Sequence, residues 1–517
     1  MRQMIGRLTL RPWLDRLPIV WFRDTQRMRR LVSNFSPSHL EKRGAVRVAI
    51  VIMPWCGSAV PWFSLVCGLL LAASGNKVSF VLDDMPFGDA GRGWKFQLAC
   101  IRSVLKLLRG RHEILALHDY ATDGALTASA RRSIEELATL NVVWAQRGES
   151  NMPARDVQQA SRQLEASHGA IARVLQSTQF DALFVPGGVW GSSGIWVAHA
   201  RAAGVRVASF DSGGYGTLLL AVNGIACQLQ DIPRAFSLLK TLSNSPLEQA
   251  FIAESAQAEM EKRRAGTDKF SSQIQGARTM DPRFAGAALV ALNSSWDSAA
   301  LGLHAVFEST QAWIVETVKY LLENTSAPVI VRQHPVERLE IARSSDDYRS
   351  LLRQHFGSHP RLHFVAAEDP VNSYDLLAQV AAVVVYTSTI GIEAAANGTP
   401  VVTESRSYYS DLGFVRRATS LAQYHKLLSE AVSGLSPVTP AMRNDALTCY
   451  YLTQCCNWVF TSFNVPDFQE WSRRDLHLLA QEVSVRTIVR AIEDDVPVSY
   501  LNHLAKLERY RGGDEGR

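Results

Sequence analysis

From Val46 onward the chain alternates between apolar runs of strand length and mixed segments of helix length. VRVAIVIM (46–53) is a continuous apolar run, the pattern of a parallel strand buried on both faces. Helix-length apolar material follows from Trp62 to Ser74 and is closed by Gly75. KVSFVLDD (77–84) predicts a second strand ending on Asp83 and Asp84, which completes a βαβ unit. Further strands are expected at 113–117, 141–145, 181–188 and 205–211, with helices at 154–177 and 194–203.

A polar stretch at 245–283 separates this series from a second one. Strands are expected at 287–292, 328–335, 361–365, 381–388 and 399–404, with helices at 311–324, 373–380 and 390–398. The last part of the chain, from about 440, reads as mainly helical. The fold class predicted is therefore α/β, with two Rossmann-like doubly wound domains facing a cleft and a mainly helical C-terminal segment. The expected division is an N-terminal arm (1–44), an acceptor-side α/β domain (45–283), a donor-side α/β domain (284–435) and C-terminal helices (436–517) packing back across the domains.

Composition narrows the class. Of 517 residues, 47% are apolar and 20% charged, which is ordinary for a globular protein. The net charge of +5 is too small to argue for nucleic acid. The charge is uneven. Residues 1–47 hold 11 Lys/Arg against Asp15, Asp24 and Glu41, a balance of +8, so the remainder sums to −3. The arm mixes Trp13, Leu14, Leu17, Ile19, Trp21 and Phe22 with Arg7, Arg11, Arg16 and Arg23. That mixture suits an anionic membrane surface, or an extension packed on the body with its arginines solvated.

Seven scattered cysteines without a CxxC read as reduced thiols in a cytosol, with Cys455 and Cys456 in core packing. Prolines and charges interrupt the basic N-terminus, so no signal peptide is expected. Residues 48–76 lack any charge, but Pro54, Gly57, Ser58 and Pro61 break the run. Neither half reaches the ~20 residues of a membrane span. A cytoplasmic protein, peripheral at most, is the expectation.

In open α/β sheets ligands sit outside the carboxyl ends of strands, so residues just after strands are the candidates. In YTSTIGIEAAANGTPVV (386–402) a strand gives way to Thr387, Ser388 and Thr389 at a helix start, with Gly391 in the first turn and Glu393 one turn in. Hydroxyls, free amides and the positive helix end suit a phosphate, although plain capping accounts for one such hydroxyl. In VIVRQHPVE (329–337), Arg332 and His334 follow a buried strand and either face a phosphate or are satisfied structural residues. In LNSSWDSA (292–299), Asp297 is either a general base or a turn cap. The loops GGVWGSSG (187–194) and DSGGYG (211–216) allow close approach of an acceptor or are ordinary tight turns.

Several motifs are missing. There is no GxGxxG after the first strand, no GxxxxGK[ST], no Asp-x-Asp, no HExxH, no GxSxG and no Cys/His ligand spacing. No metal and no cofactor are expected.

LNSSWDSA, RQHPVE, YDLL and YTSTIGIEAAANGTPVV together resemble the bacterial capsule-polysaccharide biosynthesis glycosyltransferases. These are two-domain enzymes of the GT-B type and relatives of the β-Kdo transferases. The resemblance spans about 292–402. It implies that His334, Ser388 and Thr389 bind the donor phosphate, and that Asp297 is the catalytic base. Those enzymes carry Gln-x-x-x-Asp, whereas Asn293 stands in the Gln place here.

The function expected is an inverting, metal-independent glycosyltransferase. Its partners would be a nucleotide-sugar donor and a surface polysaccharide or glycolipid acceptor, with no nucleic acid. Glu393 and Asp375 are further donor-side candidates, and Asp211 is the alternative base. The competing functions are a nucleotide-sugar epimerase of the same fold and a non-catalytic assembly protein.

Overall fold

The computed structural model describes residues 18–35, 45–55, 58–88, 90–121, 126–150, 152–213, 216–242, 245–267 and 281–512. The chain divides into two compact units. The first comprises residues 1–141, 154–231 and 457–501; the second comprises 142–153, 232–456 and 502–517.

The first unit holds β1 (Arg47–Ile52), β2 (Lys77–Leu82), β3 (Glu113–Ala116), β4 (Ala182–Pro186), β5 (Arg206–Ser212) and β6 (Thr217–Ala221). β13 (Val459–Phe460) is also in this unit. Its sheet runs β13-β6-β5-β4-β1-β2-β3. β1 to β5 are parallel, and β6 and β13 are antiparallel to their neighbours. β1, β2 and β4 are almost wholly buried, as continuous apolar runs require. Phe63 packs on Phe210 and Phe463 at ring distances of 4.6 and 4.5 Å, and Phe463 meets Trp471 at 5.2 Å. Residues 457–501 thus supply aromatic core to a sheet built from the first half of the chain.

The second unit holds β7 (Ala288–Ala291), β8 (Val329–Arg332), β9 (Leu362–Val365), β10 (Ala382–Val385), β11 (Val401–Thr403) and β12 (Arg416–Arg417). Its sheet, β12-β11-β10-β7-β8-β9, is parallel throughout. Chain order reverses between β7 and β10, which makes their carboxyl ends the switch point of a doubly wound sheet. Trp313, Tyr424 and Tyr386 fill the core, and the Trp313 indole donates to Tyr424 Oη at 2.8 Å. Both units are α/β with a Rossmann-like strand order.

Two expectations are corrected, and two open readings are narrowed. First, the strand expected at 141–145 is the end of helix Ala128–Gln146. Ile134, Ala138, Asn141 and Val142 are buried at helical spacing, which a five-residue window conceals. Second, the arm includes helix Pro18–Asn34, whose Thr25 and apolar Trp21, Met28 and Val32 are buried on one face. Trp21 stacks on Phe96 at 5.9 Å. Residues 1–17, with Trp13, Leu14 and the arginines among them, lie outside the described residues. Third, Asp211 and Ser212 of DSGGYG are the end of β5, which pairs with the antiparallel β6, a strand the pattern did not reveal; Gly214 and Tyr215 lie outside the described residues. Fourth, the boundary at 283/284 gives way to one at 231/232. Helices Ile232–Leu242 and Pro246–Arg264 join the second unit, where Lys240 pairs with Asp445 at 2.5 Å and Arg264 donates to Asn397 at 2.6 Å.

Candidate functional site

Register places the candidates of the second unit in one row. Ala291 is the register partner of Arg332 on one side and of Val385 on the other. The chain therefore leaves β7, β8 and β10 at one level, and loops 292–297, 333–337 and 386–389 rise from adjacent positions. The motifs read separately along the sequence share one sheet edge.

β10 ends because Tyr386 is followed by three hydroxyl residues that favour a helix start. Thr387 and Ser388 are buried, and their hydroxyls have no hydrogen-bond partner among the described residues. Helix Ile390–Asn397 follows with Thr389 as N-cap, and no side chain caps its first turn. Gly391 N–H bonds to Ser388 O and Ile392 N–H to Thr389 O. The amides of Ser388, Thr389 and Ile390 have no partner among the described residues. Three such amides at the positive end of a helix are donors that suit an anion. The Thr387 amide is held differently: it donates to Asn293 Oδ1 at 3.1 Å, across the switch point. Tyr409 Oη donates to Ser388 O at 2.8 Å and fixes the loop from behind.

Packing alone accounts for a glycine at 391. A Cβ there would lie 3.0 Å from Val385 Cγ2 and 3.2 Å from Tyr409 Oη. Glu393 is likewise turned inward: it is buried and receives the Tyr374 hydroxyl at 3.3 Å. Burial raises its pKa, opposed by the charge of Arg263. Asp375 is half-buried in the first turn of helix Ser373–Leu377, which Asn372 caps.

At β8 the two candidates separate. Arg332 is buried; one guanidinium nitrogen donates to Ala366 O, and another donates to Val371 O at 3.2 Å. Burial lowers its pKa to about 10. These bonds tie it to the 366–371 loop. His334 stays half-buried with Nδ1 accepting from Val336 N–H at 3.2 Å. Desolvation, then the charge of Arg332, lowers its pKa to about 4. The ring is therefore neutral at pH 7, and the bond at Nδ1 puts its proton on Nε2. That makes it a neutral N–H donor. Glu337, three residues on, is buried and accepts from Gln333 at 2.8 Å; burial pushes it up to about 7.

After β7, Asp297 is exposed, and its Oδ1 accepts Ala299 N–H at 3.0 Å. It caps a turn and keeps its other oxygen for further contacts. Desolvation by surrounding protein raises its pKa although its edge is open to solvent. Sequence reasoning missed the clamp behind this loop. Buried Asp346 accepts Ser295 Oγ at 2.7 Å and the amides of Glu149 and Ser150 at 3.1 and 2.8 Å. Residues 147–150 come from far along the chain, and no local pattern marks such a partner. Gly148 is required there, because a Cβ would meet Ser345 Oγ at 2.3 Å.

In the first unit, Asp211 lies within β5, paired opposite Leu219, and its Oδ1 accepts Ser212 N–H at 2.7 Å. Gly187, Gly188 and Gly191 all have positive φ and form a tight turn after β4. Asp83 is buried after β2 and accepts from Ser192 and Trp196 at 2.6 and 2.9 Å; burial raises it to about 6. Among the described residues no three His, Cys, Asp or Glu side chains are grouped to hold a metal, and no helix is long and apolar enough to cross a membrane.

Residues 249–433 match the family described as capsule polysaccharide biosynthesis protein, a span that contains every candidate of the second unit. Among solved structures, the chain is similar to the β-Kdo 2,4 transferase of KpsC from Thermosulfurimonas dismutans. The identity is 15% over 52% of this chain and 87% of that one, with a TM-score of 0.34. The β-Kdo 2,7 transferase of the same KpsC gives 16% identity over 60% and 90%, with a TM-score of 0.33. UDP-GlcNAc 2-epimerase from Neisseria meningitidis, bound to UDP-GlcNAc, gives 10% over 78% and 95%, with a TM-score of 0.26. No curated protein matches the chain.

Proposed function

We propose that this chain is an inverting, metal-independent glycosyltransferase. It would transfer a sugar from a nucleotide-sugar donor to a bacterial surface polysaccharide or glycolipid at the cytoplasmic face of the membrane. The observation that carries this is the uncapped amide cluster at 388–390, set at the switch point of the second sheet, with a neutral His334 leaving the same sheet end after β8. The family match over 249–433 supports the polysaccharide context.

Leaving-group departure places growing negative charge on the terminal phosphate of the nucleotide. The Ser388, Thr389 and Ile390 amides, the Thr387 and Ser388 hydroxyls and His334 Nε2–H would donate to that charge. Preorganised donors need no rearrangement as the charge develops. Asp297 Oδ2 takes the acceptor hydroxyl proton as that oxygen attacks the anomeric carbon from the face opposite the phosphate, which inverts the configuration. Base catalysis of this kind is worth about 10²–10⁴-fold. Arg332 shapes the 366–371 loop beside the site, and Asn293 holds the β10 exit in register.

Incubation of the full chain with CMP-, UDP- and GDP-sugars tests the proposal. Slow donor hydrolysis, and transfer once an acceptor is supplied, support it. Interconversion of the sugars identifies an epimerase, and binding without turnover identifies an assembly protein. Asp297→Asn should abolish transfer while leaving donor affinity within a few-fold, because the base acts on the acceptor proton. Near-normal transfer by that variant removes Asp297 from the chemistry.

A further inference from the structure

Helix Val483–Asp494 of the first unit is divided lengthwise. Val485, Ile488, Val489 and Ile492 are buried in the core, while Val483, Arg486, Thr487 and Arg490 line a groove of about 330 Å³. Leu70, Ser74, Ala480 and Glu493 complete the groove, which the buried Val485 and Val489 also line. Val483 is 71% exposed and Leu478, on the preceding helix, is 63% exposed. Single exposed aliphatics are ordinary, but these two stand on consecutive helices of a segment that also carries exposed Arg473 and Arg486. Arg473 and Arg486 are exposed and form no ion pair among the described residues, and Arg490 pairs with Asp494 at 3.1 Å.

Helix Pro18–Asn34 adds to the same neighbourhood. Its outer face carries Phe22, Arg23, Gln26 and Arg30, with Phe22 56% exposed. Phe35 meets the His477 ring at 5.7 Å, and Met28, Leu31 and Val32 share one core cluster with Leu476 and Leu479. The charges of Arg23 and Arg473 both bear on Arg27. Cationic side chains around protruding apolar ones complement a surface that is anionic at its face and apolar just beneath.

We infer that this face of the first unit, formed by helix Pro18–Asn34 and residues 473–490, seats the protein on an anionic lipid bilayer. Leu478 and Val483 enter the acyl boundary, and Arg23, Arg30, Arg473, Arg486 and Arg490 meet the lipid phosphates. The groove between Leu70 and Val483 gives an apolar wall to a lipid chain with two arginines at its rim. This inference is independent of the donor site, which lies in the other unit.

Vesicle co-sedimentation of the full chain tests it, using phosphatidylcholine vesicles with and without phosphatidylglycerol. The wild type is expected to bind the anionic vesicles at least about tenfold more strongly and to be partly released by high salt. Leu478→Glu/Val483→Glu and Arg486→Glu/Arg490→Glu should each reduce that binding about tenfold or more. All four residues are on the surface, so melting temperature and nucleotide affinity should stay at wild-type values. Equal binding to both vesicle types, or wild-type binding by both double variants, would overturn the inference. Release by free phosphate or glycerol phosphate at low salt would also overturn it, by showing a small-anion site instead of a bilayer face.

Discussion

Asn293 Oδ1 accepts the Thr387 amide at 3.1 Å and so ties together the exits of β7 and β10, the two strands at which the order of the second sheet reverses. The bond sets the start of the turn that presents the Ser388, Thr389 and Ile390 amides. Asn293→Ala leaves the buried Thr387 amide without a partner, which costs about 1–3 kcal/mol. The expected outcome is a melting temperature lower by several degrees and nucleotide binding weaker by about tenfold. Thermal unfolding and calorimetric titration check both.

Arg332 and His334 stand two residues apart and should respond differently to truncation. Arg332→Ala strips partners from Ala366 O and Val371 O inside the protein. It is expected to lower stability by about 2–3 kcal/mol and to weaken nucleotide binding only through the displaced loop. His334→Ala should leave the melting temperature nearly unchanged and cost about 1.5–3 kcal/mol of nucleotide affinity. With its pKa near 4, His334 should add no inflection to affinity between pH 6 and 7, and its ring proton signals should titrate only in acid. The opposite pattern, a fragile His334 variant and a sturdy Arg332 variant that binds poorly, would exchange their roles.

The positions of the candidates were legible in the sequence, but their roles were less so. The apolar runs at 288–291, 329–332 and 382–385 announce buried strands, and hydroxyl, histidine and carboxylate residues at their exits mark the candidates. Nothing in the order of residues distinguishes an arginine aimed at a ligand from one that braces a loop, because that depends on where the carbonyls of 366 and 371 fall. Gly391 shows the same limit: only Val385 and Tyr409, brought against it by the fold, reveal a packing requirement. Asp346 and its clamp on 147–150 join segments nearly two hundred residues apart and leave no periodic trace. The basic N-terminal stretch left two readings open. Its arginines stand out in composition, while the spacing of Trp21, Met28 and Val32 carries the helix.

That helix yields a stability prediction. Removing residues 1–44 uncovers core contacts of Trp21, Met28, Leu31 and Val32, each worth on the order of 1.5–3 kcal/mol. The truncated chain should melt well below the full chain or fail to accumulate as folded protein. An unchanged melting curve would show that helix Pro18–Asn34 adds nothing to the first unit.

Glu337 sets a pH dependence. Its folded pKa, near 7, lies above the ordinary value of 4.5, so between these two values the folded state binds more protons than the unfolded state. Stability from this group is therefore full below about pH 4.5 and is lost as pH rises toward 7. Glu337→Gln keeps the acceptor for Gln333 and removes the titration. The difference in unfolding free energy, variant minus wild type, should rise by up to about 3 kcal/mol from pH 4.5 to 7.5. A difference that stays flat with pH would place Glu337 at an ordinary pKa.

The most direct measurement is a crystal of the full chain soaked with CMP, UDP or GDP. The terminal phosphate of the bound nucleotide is predicted to lie within about 3 Å of His334 Nε2 and of the Ser388, Thr389 and Ile390 amides, at the carboxyl ends of β7 and β10. A nucleotide bound with its phosphate away from the 386–390 turn, or seated on the first sheet, would contradict the assignment of the second unit as the donor site.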